Sequence, residues 1–168
     1  MRTVDLTAAE RHPPIVETEA RKLAWASEQD SAVFAARLAA RPAIANCFIE
    51  LHGELGAGKT TLVRHLLRAL GVQGRIKSPT YAVVEPYEIS GLSIWHFDFY
   101  RFSDPREWED AGFRDLFSSP GLKLAEWPEK AGSLLPRADL VVRIEVRPDE
   151  TRDVALTAQT AVGKELLR

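Results

Sequence analysis

The segment from Gly53 to Thr60 has the spacing of a loop that binds phosphate groups. It reads GELGAGKT: glycine, four residues, then glycine, lysine and threonine, which is the P-loop pattern. Glycines let the backbone curl so that successive N–H groups point at phosphate oxygens. The helix that follows directs its positive end to the same place. In this pattern Lys59 contacts the β- and γ-phosphates, and the Thr60 hydroxyl becomes a ligand of magnesium.

Two acidic residues at the ends of predicted strands are candidates for the remaining magnesium chemistry. Asp98 ends the alternating segment SIWHFD, which is where an aspartate of the Walker B type orients on magnesium. Glu126 follows LKLA and could bind magnesium, directly or through water, or position the attacking water. The alternative for Asp98 is a capping or ion-paired aspartate, and for Glu126 an ordinary surface carboxylate.

A threonine between these segments could sense the γ-phosphate. Thr80 lies in KSPTY, 20 residues after Thr60, and switch loops use such a residue through magnesium. A turn containing a favoured proline is the alternative, and composition alone favours the turn. Guanine-specific P-loop proteins generally carry Asn-Lys-X-Asp or Thr-Lys-X-Asp, and neither occurs in this sequence. We therefore favour ATP over GTP as the nucleotide.

The charge pattern gives no global sign of nucleic acid or membrane. The chain has 168 residues, a net charge of −2, 45% hydrophobic and 27% charged residues, as in ordinary globular proteins. One basic stretch has no acid between positions 64 and 77: Arg64, Arg68, Arg75 and Lys77. It could contact RNA phosphates or an acidic partner, and a solvated helix face explains it equally well.

Cysteine content and the N-terminus indicate the compartment. The single cysteine, Cys47, excludes an internal disulfide, and its apolar surroundings predict a buried side chain rather than a reactive thiol. The N-terminal segment lacks the apolar region of a signal peptide, and no apolar run approaches the ~18 residues of a membrane span. We expect a cytoplasmic protein with no membrane segment.

Hydrophobic periodicity predicts the elements that hold these residues. Strands are expected at 21–26, 44–51, 80–89, 92–100, 122–127, 138–146 and 152–160. Helices are expected after the N-cap Ser27, from the phosphate loop to Gly71, after Asp104, and at 163–168. Helices alternate with strands at first and hairpins follow, which predicts an α/β fold: a single-domain P-loop NTPase whose mixed parallel and antiparallel sheet is flanked by helices. We expect residues 1–20 to form a loosely ordered leader and residues 21–168 the P-loop domain.

Five segments taken together resemble the TsaE family, small bacterial P-loop ATPases of tRNA threonylcarbamoyladenosine biosynthesis. They are GELGAGKTT, KSPTY, HFDFYR, DPREWEDAGFRD and AEWPEK, in this order. The resemblance covers about Phe48 to Pro136. It implies a mixed-sheet P-loop fold, weak ATP hydrolysis by the isolated chain, and a required partnership with TsaD and TsaB. Those proteins attach the threonylcarbamoyl group to adenosine 37 of tRNAs that read codons beginning with A. Hydrolysis would reset the complex between cycles, with tRNA reached through the complex.

The resemblance also implies roles for individual residues. Thr60 and Glu126 would bind Mg²⁺, Asp98 would be the acid of the Walker B type, and Thr80 would act as a switch residue. Glu28, in SEQD at the start of the first helix, would lie near the nucleotide. The residues that would hold the phosphates of ATP are Gly56, Ala57, Gly58, Lys59, Thr60 and Thr61. Lys59, Asp98, Glu126 and Thr80 are the catalytic candidates.

Three functions remain open at the level of sequence. The first is an ATPase gated by a partner complex, because the sequence has no obvious arginine finger in cis and no arginine-rich lid. The second is a small-molecule P-loop kinase, which would need a second substrate pocket and a lid arginine, for which Arg101 and Arg106 are the candidates. The third is a nucleotide-gated binding module in which hydrolysis is incidental.

Overall fold

A computed structural model of the chain describes residues 17–79, 83–110 and 112–168. The strands are β1 Glu19–Trp25, β2 Cys47–His52, β3 Val84–Ile89, β4 Leu92–Asp98, β5 Leu122–Glu126, β6 Leu140–Val146 and β7 Arg152–Ala158. The α-helices are α1 Glu28–Ala39, α2 Lys59–Ala69, α3 Pro105–Asp110, α4 Phe113–Ser118 and α5 Ala161–Leu166. Short 3₁₀ turns lie at Pro42–Ala45, Pro128–Lys130 and Gly132–Leu134.

All seven strands form one mixed sheet in the order β1-β7-β6-β2-β5-β4-β3. The phosphate loop leaves β2, which pairs in parallel with β5 and β6, and β5 pairs in parallel with β4. The outer pairs β1–β7, β6–β7 and β3–β4 are antiparallel. This sheet confirms the predicted α/β fold. Because β2, β5 and β4 are parallel, their carboxyl ends meet at one edge of the sheet.

Each face of the sheet covers its own apolar core. One core joins β-strand residues such as Ile49, Ile94 and Leu124 to side chains from α1, α2 and α5. The other is aromatic and includes Phe97 from β4 and Trp108 from α3. Since successive residues of a strand point to opposite faces, the residues of β4 that alternate with Phe97 lie on the face covered by α2.

Local signals explain most element boundaries. The hairpin β3–β4 turns at Ser90 and Gly91, which both have positive φ, 49° and 80°, as the tightest hairpin turns require. Helix α2 is followed by Gly71 with φ 102°, the left-handed stop expected there. None of the helices in the described part of the chain is long and apolar enough to cross a membrane.

Some elements differ from those expected. The strand expected from position 44 begins at Cys47 because Pro42–Ala45 forms a 3₁₀ turn. The strand expected from position 80 begins at Val84, and positions 80–82 lie outside the described residues. Helix α4 was not predicted; it packs Phe113 into the aromatic core, a tertiary contact that its short sequence does not signal. Of the expected leader, residues 1–16 lie outside the described residues, and Glu19 already belongs to β1.

Candidate nucleotide-binding site

The phosphate loop joins β2 to α2 in a conformation that depends on glycine. A Cβ atom on Gly53 would lie 2.6 Å from the carbonyl oxygen of Ile144, so no side chain fits at this position. Gly58 has φ 109° and is the N-cap of α2, a backbone region that L-residues with side chains rarely adopt. The loop therefore lies tightly against β6 at its start and opens toward the N-terminus of α2 at its end.

Lys59 lies inside the loop, with only 5% of its surface exposed. Its ammonium donates hydrogen bonds to the carbonyls of Gly53 and Glu54, the latter at 3.1 Å. The same nitrogen lies 4.0 Å from the ring centroid of Trp127, a cation–π contact. Burial lowers the pKa of Lys59, and nearby carboxylates, Glu126 first among them, act in the opposite direction. The Lys59 nitrogen is thus held inside the loop by two backbone carbonyls.

Glu126 connects the phosphate loop to the sheet. It ends β5 with 2% of its surface exposed, and its Oε1 accepts a hydrogen bond of 2.8 Å from Thr60 Oγ1. Its other oxygen, Oε2, lies 2.6 Å from His96 Nε2. Both carboxylate oxygens are therefore engaged. His96 was not among the residues predicted from the sequence, although its spacing of two from Asp98 on an alternating strand places both residues on one face.

Asp98 lies one strand further from the phosphate loop than Glu126. The two residues are register partners across β4 and β5, and Leu51 of β2 is the partner of Glu126 on the other side. The half-buried Asp98 carboxylate accepts a hydrogen bond of 3.0 Å from the backbone N–H of Tyr100. Burial raises the pKa of Asp98, and this hydrogen bond partly opposes the shift. Asp98 and Glu126 form an acidic pair at the shared strand edge.

Two adjoining cavities open beside the loop. The first, of about 210 Å³, is lined by the loop from Leu55 to Thr61 together with Asp98, Tyr100, Glu126 and Trp127. The second, of about 270 Å³, is lined by Trp25, Ser27, Glu28, Ser31, Ala57, Gly58, Thr61 and Arg152. Both are lined by Ala57, Gly58 and Thr61, so they lie next to each other at the start of α2.

One residue in the lining of the second cavity has a buried hydroxyl without a partner. Ser31 on α1 is 4% exposed, and its hydroxyl has no hydrogen-bond partner among the described residues. Buried hydroxyls are nearly always paired. Glu28, one turn earlier on α1, lines the same cavity and contacts His65 Nε2 at 3.0 Å. Helix α1 therefore places two polar side chains beside the phosphate loop.

Comparison with a family model and with individual proteins points to the same protein family. The model for the threonylcarbamoyl adenosine biosynthesis protein TsaE matches residues 25–154. The chain is 49% identical to the tRNA threonylcarbamoyladenosine biosynthesis protein TsaE of Haemophilus influenzae over 71% of this chain and 75% of that protein. The chain belongs to the TsaE family. The Bacillus subtilis protein of the same name is 33% identical over 82% of this chain and 87% of its own length.

The fold comparison extends over more of this TsaE-family chain. The crystal structure of Bacillus subtilis YdiB superposes with a TM-score of 0.73 and 25% sequence identity. The match covers 90% of this chain and 94% of that structure. The match therefore extends beyond the segments from about Phe48 to Pro136 on which the sequence resemblance was based.

Arg152 is a site residue that the sequence analysis missed. It begins β7, and its Nε donates a hydrogen bond of 2.9 Å to the carbonyl of Ala57 in the phosphate loop. Its Nη1 donates to the carbonyl of Glu150 at 2.7 Å. Because 95 positions separate Arg152 from Ala57, no local pattern could have indicated the contact. This arginine holds the backbone of the loop of a TsaE-family chain.

The remaining residues predicted from the sequence are not in the described lining of the two cavities. Thr80 lies outside the described residues. Among the basic residues, Arg68 donates a 2.9 Å hydrogen bond to the carbonyl of Val72 beyond the end of α2, while Arg64, Arg75 and Lys77 are exposed. The described lining of the two cavities includes neither kinase-type candidate, Arg101 or Arg106.

Proposed function

We propose that this chain binds ATP and hydrolyses it weakly, and that it is required with TsaD and TsaB for threonylcarbamoylation of adenosine 37 in tRNAs that read codons beginning with A. It would act in the cytoplasm and reach tRNA through the complex. The observation that carries the proposal is the hydrogen bond from Thr60 to Glu126 beneath a glycine-rich loop. Its relatives carry the name of this tRNA modification.

The oxygen ligands around the loop suit magnesium. The Thr60 hydroxyl and the carboxylates of Glu126 and Asp98 are hard oxygen donors, the class that Mg²⁺ prefers. Thr60 and Glu126 lie within 2.8 Å of each other, so one ion could contact both. Magnesium, when bound, neutralises charge on the β- and γ-phosphates. Lys59 and the amides from Gly56 to Thr61 would hold the phosphates.

The second cavity supports a nucleoside next to the phosphates. Its lining includes Thr61 of the phosphate loop together with Trp25, Ser27 and Glu28. The unpaired Ser31 hydroxyl can both donate and accept a hydrogen bond, which is suited to a base or a ribose. Glu28, the nucleotide contact implied by the family resemblance, lies in this lining. We assign this cavity to the nucleoside of ATP.

Slow hydrolysis by the isolated chain follows from the charges near the loop. An arginine finger contributes about 10³–10⁵ to the rate in enzymes that have one. The described lining of the two cavities includes one arginine, Arg152. Its guanidinium donates hydrogen bonds to the carbonyls of Ala57 and Glu150. A partner protein would then supply or complete the stabilisation of the γ-phosphate. Lys59, Asp98 and Glu126 are the catalytic residues of the proposal, and Thr80 is its switch residue.

The decisive experiment measures ATP turnover with and without partners. Purified chain should turn over ATP slowly, and adding TsaB and TsaD should increase the rate. Lys59→Ala is the control, because loss of the lysine removes the charge at the centre of the loop. An unchanged rate under conditions in which tRNA modification proceeds would refute the gated ATPase.

A binding module remains the second candidate because both oxygens of Glu126 are engaged. An attacking water would have to compete with these two contacts for the remaining lone pairs of the carboxylate. The variant Glu126→Ala separates the two functions. If it binds ATP and partners, hydrolyses nothing and supports repeated rounds of tRNA modification, then binding suffices. If modification stops after about one round, then hydrolysis resets the complex.

A further inference from the structure

His96 is a buried polar residue with no assigned role at the site. It lies on β4 with none of its surface exposed, and Nε2 faces Glu126 Oε2 at 2.6 Å. The other ring nitrogen, Nδ1, is buried without a hydrogen-bond partner among the described residues. Burying an unpaired nitrogen costs free energy. A residue chosen only to fill space between β4 and α2 would be apolar, as Ile94 is on the same face.

A hydrogen on Nε2 of His96 would give Glu126 a donor at each of its two oxygens. An ionised carboxylate only accepts hydrogen bonds. Thr60 donates to Oε1, and an Nε2–H of His96, 2.6 Å from Oε2, would be the donor to the other oxygen. In a neutral ring this tautomer leaves a lone pair on Nδ1. The three side chains form a chain of two hydrogen bonds that runs from β4 through β5 to the first turn of α2.

We propose that His96 is a positioning residue for Glu126: its Nε2–H fixes the carboxylate so that Oε1 points at the Thr60 hydroxyl and at magnesium. The proposal rests on the function proposed above. A glutamate has several rotatable bonds, and without a donor at Oε2 its carboxylate could turn away from the loop. Groups that hydrogen-bond a metal ligand commonly change metal affinity or activity by about 10- to 100-fold when removed.

Three substitutions separate positioning from space filling. In His96→Gln the amide nitrogen can take the place of Nε2, so it keeps both a donor toward Glu126 and an unpaired acceptor. His96→Leu fills the same space with an apolar side chain of similar size and removes the donor. His96→Asn keeps the polar character with a donor too short to reach Oε2, and serves if the leucine variant does not fold.

A matched control comes from the next residue on the same strand. Phe97 is equally buried, with none of its surface exposed, but packs into the aromatic core on the opposite face. Phe97→Leu should lower the melting temperature without touching Glu126. This variant measures how much Mg²⁺ affinity changes when β4 is destabilised but the contact with Glu126 is intact.

The first measurement uses the chain without nucleotide or metal. Long-range ¹H–¹⁵N NMR of histidine-labelled protein, with His96→Gln to assign the signals, reports which ring nitrogen carries the hydrogen. We expect His96 to carry it on Nε2, with Nδ1 as the unprotonated nitrogen. A hydrogen on Nδ1 alone would overturn the proposal, because Nε2 could then not donate to the carboxylate.

The second measurement is a Mg²⁺ titration of the ADP-loaded chain by calorimetry. Affinity for Mg²⁺ should fall about 10- to 100-fold in His96→Leu and His96→Asn, remain near that of the unaltered chain in His96→Gln, and remain unchanged in Phe97→Leu. Equal Mg²⁺ affinity in His96→Leu and His96→Gln would overturn the positioning role. A chain that binds neither ADP nor ATP would instead refute the proposed function, so the two failures are distinguishable.

Discussion

At the scale of single residues, burial and hydrogen bonding distinguish Glu126 from an ordinary surface carboxylate. A carboxylate with 2% exposure is costly unless hydrogen bonds compensate for lost hydration. Thr60 and His96 supply contacts to its two oxygens. From sequence, Glu126 was equally compatible with a surface carboxylate. Only the positions of two donors, on α2 and β4, distinguish these interpretations.

Cys47 should resist modification in the folded chain. Its thiol is 4% exposed, and burial, assisted by Asp139, raises its pKa to about 12. At pH 8 only about one thiol in 10⁴ would be ionised, and the thiolate is the reactive form. Labelling with a disulfide reagent should be slow in buffer and fast in denaturant. Rapid labelling of the folded chain would contradict the burial of Cys47.

The same thiol makes stability depend on pH in a known direction. The thiol has a pKa of 9.0 in the unfolded chain and of about 12 in the folded chain. The folded state therefore binds more protons in this window, so the contribution to stability falls as pH rises from about 9 to 12. Cys47→Ala should lose less stability than the unaltered chain on going from pH 8 to pH 10, as measured by urea unfolding.

At the scale of elements, α1 is held in place by its first turn. The Asp30 carboxylate accepts hydrogen bonds from the backbone N–H groups of Ala26 and Ser27, at 2.7 and 3.2 Å. These bonds satisfy donors at the helix start. They confirm the helix that the sequence predicts after the N-cap Ser27, from a serine followed three residues later by an acid. Helix α1 in turn carries Glu28 and Ser31 into the second cavity.

Removing this cap should destabilise the helix and weaken nucleotide binding. Asp30→Ala should lower the free energy of unfolding by about 1 kcal/mol, measured by urea denaturation. It should also weaken ADP binding, because α1 lines the cavity assigned to the nucleoside. Asp30→Asn, which keeps an acceptor oxygen, is the matched control and should retain most of the stability. If both variants were equally stable, the cap would contribute nothing.

At the scale of the whole molecule, the terminal hairpin supports the phosphate loop. Arg152 on β7 donates to the carbonyl of Ala57, and β6 lies so close to the loop that only glycine fits at Gly53. Strands far along the sequence thus fix the backbone that would contact phosphates. The family model, which ends at residue 154, includes Arg152.

Loss of Arg152 should destabilise the phosphate loop and weaken nucleotide binding. A hydrogen bond from a charged donor contributes roughly 1.5–3 kcal/mol to stability. Without it the backbone of the loop is no longer held at Ala57, so Arg152→Ala should lower ADP affinity about 10-fold in a calorimetric titration. Arg147→Ala is the control on the same hairpin, since Arg147 pairs with the exposed carboxylate of Asp153. Equal ADP affinity in both variants would show that the contact with Ala57 has no role in binding.

Local patterns in the sequence determined most elements and the identity of the loop. The P-loop spacing, the N-cap of α1 and the Ser90–Gly91 hairpin turn each depend on a few neighbouring residues, so they could be predicted without a fold. Their positions at the ends of predicted strands indicated Asp98 and Glu126 as candidate acids, and the family resemblance implied their roles. Helix α4 was missed because tertiary packing rather than local propensity holds it.

Tertiary structure alone decided how these parts meet. Parallel pairing places β5 between β2 and β4, so Glu126 rather than Asp98 reaches the Thr60 hydroxyl. The same pairing brings His96 against Glu126, and the antiparallel return of β7 brings Arg152 to the loop. These contacts join residues between 30 and 95 positions apart. Strand order and register create them, and no single stretch of sequence contains that information.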